Sequence, residues 1–196
     1  GSGWTEVADQ NTGRYKVGIS KLGTTTATII FGGEGPSADE DTTEEYNGTS
    51  WTEVADLNTA RTIHGGGTGT STAAIAAAGS LNPPGGVSDT AETWNGTAWT
   101  ETTEMGTARR NIGNGGPSTA ALVFAGGTPP VSALTESWNG SAWTELADLS
   151  TARDALGAGC ASTFAAVGFG GTPGATAATE EFTAPEANKT LASTNA

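Results

Sequence analysis

The sequence predicts an all-β fold built from four copies of one small antiparallel sheet, and three observations carry that expectation. A Trp-Thr-Glu triplet begins at Trp4, Trp51, Trp99 and Trp143, at intervals of 47, 48 and 44 residues, and a fixed period in this range marks a repeat architecture. The apolar runs are short and end at glycine, as in Ala27-Thr28-Ile29-Ile30-Phe31 before Gly32-Gly33 and Ala120-Ala121-Leu122-Val123-Phe124 before Gly126-Gly127, which fits strands rather than helices. Asn47-Gly48, Asn95-Gly96 and Asn139-Gly140 each follow an aromatic residue and precede a Trp by three residues. Asn-Gly between alternating strands is a strong hairpin signal, because both residues tolerate positive φ. No segment sustains an apolar period of 3.6 residues.

Each element of the repeat follows in order. Arg14, Arg61, Arg109 and Arg153 are followed four residues later by Gly18, Gly65, Gly113 and Gly157, where a first strand is expected, its small residues suiting a crowded inner position. The second strand is the apolar run that stops at glycine. A loop of variable length and chemistry follows, at 34–43, 80–90, 128–135 and 172–179. The third strand carries Glu44-Glu45-Tyr46, Glu92-Thr93-Trp94, Glu136-Ser137-Trp138 or Glu180-Glu181-Phe182, and the fourth begins at the Trp after the turn.

The chain ends complement one another. Residues 4–8 form a lone Trp-type strand, and the last copy stops at Phe182 with no Asn-Gly-Trp after it. The expectation is a ring of four blades, at about 14–55, 61–103, 109–148 and 153–182 plus 4–8, closed by the N-terminal strand, since pairing first and last strands removes exposed sheet edges. Residues 4–182 are read as one domain, Gly1-Ser2-Gly3 as a cloning remnant, and 183–196 as a polar tail.

Glycine pair, variable loop, Glu-x-aromatic, hairpin, Trp and the Thr-Ala-Arg ending together resemble a kelch-type β-propeller over residues 4–182. Kelch propellers usually have more than four blades, which leaves a larger or assembled ring open. The wording Trp-Asn-Gly-Thr-Ala-Trp-Thr-Glu, with Thr-Ala-Arg and Ser-Thr-Ala-Ala-Leu-Val-Phe, also resembles repeats of predicted marine phage tail-fibre and structural proteins. The resemblance implies a fold that hosts many activities, and so leaves function to the site.

The formal charge of −13, with eight Lys and Arg, argues against nucleic acid or anionic lipid as partners. A glycan or protein surface is the expected partner, with assembly into a larger virion or fibre, and no membrane-spanning run is visible. A single Cys160 provides no disulfide framework. The repeated Arg14, Arg61, Arg109 and Arg153 are read as structural, pairing with Glu44, Glu92, Glu136 and Glu180 or with loop carbonyls. The aromatic-Trp pairs around each turn, with Trp4, Trp51, Trp99 and Trp143, are read as packing first and carbohydrate platforms second. His64 fills the slot of Val17, Ile112 and Leu156 and is expected in the core or channel.

No catalytic residue, cofactor or metal is expected. One His and two Tyr are too few for copper chemistry of the galactose-oxidase kind, and the Ser-x-Asp-x-Gly-x-x-Trp box of sialidase-like propellers is absent. Asp39, Asp41, Glu44 and Glu45 crowd one loop, but without the spacing of a calcium loop. Asn47, Asn95, Asn139 and Asn188 stand in glycosylation sequons.

A ligand site is expected where the copies differ, on the face holding the variable loops. Tyr15, Lys16, Arg110, Asn111 and Asp154, just after the repeated Arg, form the predicted patch, at positions resembling ligand-contacting ones in kelch propellers. The leading expectation is a non-enzymatic binding or structural module, extracellular or on a virion. An intracellular kelch-like adaptor is the alternative, and a propeller hydrolase comes third.

Overall fold

A computed structural model describes residues 3–82, 85–128 and 130–184. Gly1, Ser2, Asn188 and most of the expected tail lie outside them. The chain is all-β, in small antiparallel sheets, with no helix among the described residues. The first sheet runs β1 (Gly18–Ile19), β2 (Thr28–Phe31), β3 (Thr43–Tyr46), β4 (Trp51–Val54) in sequence order.

The second sheet is built from β5 (Gly67–Thr70), β6 (Ala73–Ala77), β9 (Ala91–Trp94) and β10 (Trp99–Glu101), with a small hairpin of β7 (Ser80–Leu81) and β8 (Gly86–Val87) in its variable loop. The third is β11 (Gly113–Gly115), β12 (Leu122–Phe124), β13 (Thr135–Trp138), β14 (Trp143–Glu145). The fourth has three strands only, β15 (Gly157–Ser162), β16 (Ala165–Phe169) and β17 (Thr179–Thr183).

The Asn-Gly hairpins form as their chemistry dictates. In each, the Asn side-chain oxygen accepts hydrogen bonds from the amides two and three residues on, all at 2.9 Å: Thr49 and Ser50, Thr97 and Ala98, Ser141 and Ala142. The turn sets Trp51 opposite Tyr46, Trp99 opposite Trp94 and Trp143 opposite Trp138, with ring centroids 5.0, 5.5 and 5.3 Å apart.

Apolar clusters sit between successive sheets. Ile29, Phe31 and Leu57 pack on Ala74, Ala76, Trp94 and Trp99. Ala77, Ala91 and Met105 pack on Ile112, Val123 and Trp143. Leu122, Phe124 and Leu149 pack on Ala166 and Phe182. One backbone link recurs at all three junctions: Gly33, Gly79 and Gly126 each donate an amide to the carbonyl of the next unit's Arg61, Arg109 or Arg153, at 3.0, 2.9 and 2.9 Å. These glycines have φ of 113°, 132° and 112°, a region L-residues avoid.

Two expectations need correction. Gly18, Gly113 and Gly157 are required less by crowding at an axis than by their cross-strand partners, because an added Cβ would strike the ring of Phe31, Phe124 or Phe169. His64 is exposed. The buried place in that segment belongs to Ile63, 1% exposed, since burying the sec-butyl side chain and hydrating the imidazole avoids an unpaired polar group in the core.

The N-terminal strand does not close the array within the described chain. Residues 4–8 belong to no strand, and no hydrogen bond among the described residues joins the fourth sheet to the first. The physical reason is the missing junction: among the described residues Gly171 and Arg14 share no backbone hydrogen bond, and Ile19 and Phe169 stay exposed. The linker that follows is placed as in the other units, with Trp51 Nε1 donating to the Ala8 carbonyl (3.1 Å) as Trp143 does to Thr103, and the Asn11 and Thr12 amides donating to Glu44 (2.7 and 3.3 Å) as the Asn58 amide does to Glu92.

Candidate functional site

In each unit the residue after the repeated Arg is bridged to the start of the variable loop: Tyr15 to Glu34, Thr62 to Ser80, Arg110 to Gly127 and Asp154 to Thr172. The antiparallel order puts these bridges at the end of the sheets opposite the Asn-Gly turns. The predicted residues therefore share one end of the array with the loops that differ from copy to copy.

The following residue has an unusual backbone in three units. Lys16, Asn111 and Ala155 have φ of 54°, 53° and 50°, conformations uncommon outside glycine. The carbonyls of Lys16 and Asn111 accept from the amides of Ile63 (2.9 Å) and Ala155 (3.0 Å) in the next unit. The turn thus ties neighbouring sheets and directs the Lys16 and Asn111 side chains outward.

The five predicted residues form two groups. On the first sheet, Lys16 Nζ donates to Glu34 Oε2 at 2.7 Å and lies 5.1 Å from the centroid of the exposed Tyr15 ring. At the junction of the third and fourth sheets, Asp154 accepts from Thr172 Oγ1 and stands 3.5 Å from Asn111 Nδ2. Arg110 is exposed beside Asn111, and no hydrogen bond among the described residues joins the two groups. Glu34 and Thr172 were not foreseen, although each directly follows a glycine pair that the repeat pattern marks.

Hydrogen bonding from Lys16, and then from Tyr15, holds the Glu34 carboxyl below its usual 4.5. The same contact raises Lys16, and hydrogen bonding to Glu34 raises Tyr15. What the Lys16–Glu34 contact contributes is therefore present above pH 4.5 and fades as pH falls through the lowered Glu34 value. The contact is exposed and small in energy. In Lys16→Ala, carbon-detected titration is expected to show the Glu34 carboxyl moving back up toward its usual value; an unmoved titration would mean that Lys16 does not set it.

The repeated Arg and Glu have a different task. One oxygen of each Glu faces the unit's Arg: Arg14–Glu44 at 3.1 Å, Arg61–Glu92 and Arg109–Glu136 at 2.6 Å, and Arg153–Glu180 in close contact. The other oxygen accepts the amide three residues before that Arg, from Asn11, Asn58 and Gly106 at 2.7 Å and Ser150 at 2.6 Å. The guanidinium groups also reach loop carbonyls, Ala78 and Thr59 from Arg61, Leu134 from Arg109, and Gly170 and Ala178 from Arg153. Each pair pins the linker entering a sheet to that sheet's third strand, so these arginines do not ring a ligand pocket.

The acidic loop of the first unit is dispersed. Asp39 accepts the Asn82 amide of the second unit at 2.6 Å, burial raising its carboxyl, and Glu44 faces Arg14. Among the described residues no three His, Cys, Asp or Glu side chains gather as metal ligands, and no helix is long and apolar enough to cross a membrane. The chain matches no family model and no curated protein.

Proposed function

We propose that the chain is a non-enzymatic binding module whose four sheets are blades of a kelch-like propeller, four strands to a blade, with residues 4–8 supplying the outer strand to the unit of residues 153–182. The observation that carries the binding role is the contrast between the two ends of the sheets. The hairpin end repeats one set of hydrogen bonds in three units, whereas the loop end presents a different polar surface in each. Tyr15, Lys16, Arg110, Asn111 and Asp154 stand on that loop end, and one scaffold carrying variable loops is a common way to build a specific surface.

The partner is a surface glycan or protein, met outside a cell or on a virion. The exposed Tyr15 ring offers an apolar face with a polar tip, the amide and carboxylate of Asn111 and Asp154 suit hydroxyl groups, and the net charge of −13 disfavours polyanions. The test is a glycan and surface-protein screen with the wild type, Tyr15→Ala and Arg110→Ala. Binding lost in either variant supports the reading. Equal binding by all three, or binding lost only on changing the Asn-Gly turns, would contradict it.

A further inference from the structure

The junction of the third and fourth sheets carries a cavity of about 220 Å³ lined by Leu122, Phe124, Thr135, Leu149, Ala166 and Phe182, among others. At the junction of the first two sheets the corresponding residues are Ile29, Phe31, Thr43, Leu57, Ala74 and Trp94. There the space is filled by Trp99, which packs edge-on against Phe31 at 4.7 Å and donates from Nε1 to Thr43 Oγ1 at 2.9 Å. The cavity is thus the seat of a tryptophan from an outer strand that the fourth sheet lacks.

Neighbouring features agree. Phe182 is only partly buried, whereas Tyr46, Trp94 and Trp138, its counterparts, are buried. Glu180 is 25% exposed, while Glu44 and Glu92 are at 0%. Gly171, with φ of 103°, stands where Gly33, Gly79 and Gly126 donate to the next unit's Arg carbonyl. Among the described residues neither its amide nor the Arg14 carbonyl has a backbone partner.

The chain also holds an unplaced strand of matching sequence. Trp4-Thr5-Glu6-Val7 repeats Trp51-Thr52-Glu53-Val54 residue for residue, yet Trp4 is 104% and Val7 62% exposed. Ile19 on the first sheet and Phe169 on the fourth are exposed as well, although Phe31 and Phe124, the counterparts of Phe169, are buried between sheets.

We infer that this outer strand is supplied between copies rather than within one: the open edge of β17 is the acceptor for the Trp4–Val7 strand of a second copy, which continues the array head to tail. The register of the second sheet places Trp4 opposite Phe182, Thr5 opposite Glu181 and Glu6 opposite Glu180. The incoming indole fills the cavity and donates to Thr135 Oγ1, and Gly171 donates to the second copy's Arg14 carbonyl. A second copy is the occupant that fits, because within one chain the fourth and first sheets share no hydrogen bond among the described residues and leave Phe169 and Ile19 exposed, so the chain's own Trp4 stands in solvent while the acceptor on the fourth sheet stands open. Donor and acceptor are different surfaces, so the contact is heterologous and yields a closed ring or a filament.

Sedimentation of the full chain over a wide concentration range tests this. The wild type is expected at no less than twice the chain mass of 19.4 kDa. Trp4→Ala, which removes no contact within a chain, is expected to sediment at the monomer mass. Ala166→Phe, which fills the cavity, is expected to be monomeric too, and a mixture of the two variants to form a dimer and nothing larger, because one keeps the acceptor and the other the strand. If Ala166→Phe fails to fold, the wild type and Trp4→Ala still decide. A monomeric wild type overturns the inference, whether Trp4 fluorescence shows a buried indole, meaning closure within one chain, or an exposed one. Assembly unchanged by Trp4→Ala overturns it equally.

Discussion

Arg61→Ala is expected to lower the unfolding free energy by about 3–5 kcal/mol, because it leaves the Glu92 carboxylate buried without its counter-charge. Both side chains are at 0% exposure, and Arg61 also satisfies the Ala78 and Thr59 carbonyls. Its loss would release the linker between the first two sheets as well as the pair. The units should not respond alike. Arg153→Ala should cost less, since water reaches Glu180. Arg14→Ala should also cost less, since the Arg14 Nε and Nη atoms have no hydrogen-bond partner. Urea unfolding of the three variants reads the order directly, and an Arg61→Ala loss no larger than the other two would remove the pair from the list of principal supports.

Trp99→Ala is expected to cost about 3–5 kcal/mol, the range for removing a large buried aromatic side chain. Trp99 is 6% exposed and joins two sheets through Phe31 and Thr43. Its removal recreates, at the first junction, the cavity that the fourth sheet already has. Trp4→Ala deletes the same side chain from the same triplet, but at an exposed position where a change of within about 0.5 kcal/mol is usual for a monomer. Equal losses at the two positions, measured at a concentration where the chain is monomeric, would mean that Trp4 is already seated.

Much of the architecture is legible in the sequence because each strand carries its own punctuation. Glycine pairs end β2, β12 and β16, and Asn-Gly makes the hairpins. The repeated Arg and Glu were readable as a pair because identical placement in every copy points to a task inside every copy. Position within the core was less legible. His64 and Ile63 are adjacent, and repeat alignment alone does not say which enters the core; the hydration of the imidazole decides it. Equally hidden was the turn at Lys16 and Asn111, where side chains of ordinary appearance adopt a left-handed backbone to link sheets.

The complementary chain ends were visible, but the sequence could not say whether they meet. That depends on whether the first and fourth sheets pack on each other, through residues far apart in the chain such as Ile19 and Phe169, both of which stay exposed. The candidate site was legible as an end of the fold rather than as a constellation. Tyr15 and Lys16 find Glu34, Asn111 finds Asp154, and two separate polar groups result where one patch was expected.

In the proposed reading the constant end of the sheets holds the fold and the variable end meets the partner. The most direct measurement is residue-resolved amide exchange on the full chain, with and without a glycan or protein taken from the screen. Slowed exchange at Lys16, Arg110, Asn111 and Asp154, with the Asn47, Asn95 and Asn139 turns unchanged, is the predicted result. Slowing confined to those turns would contradict it.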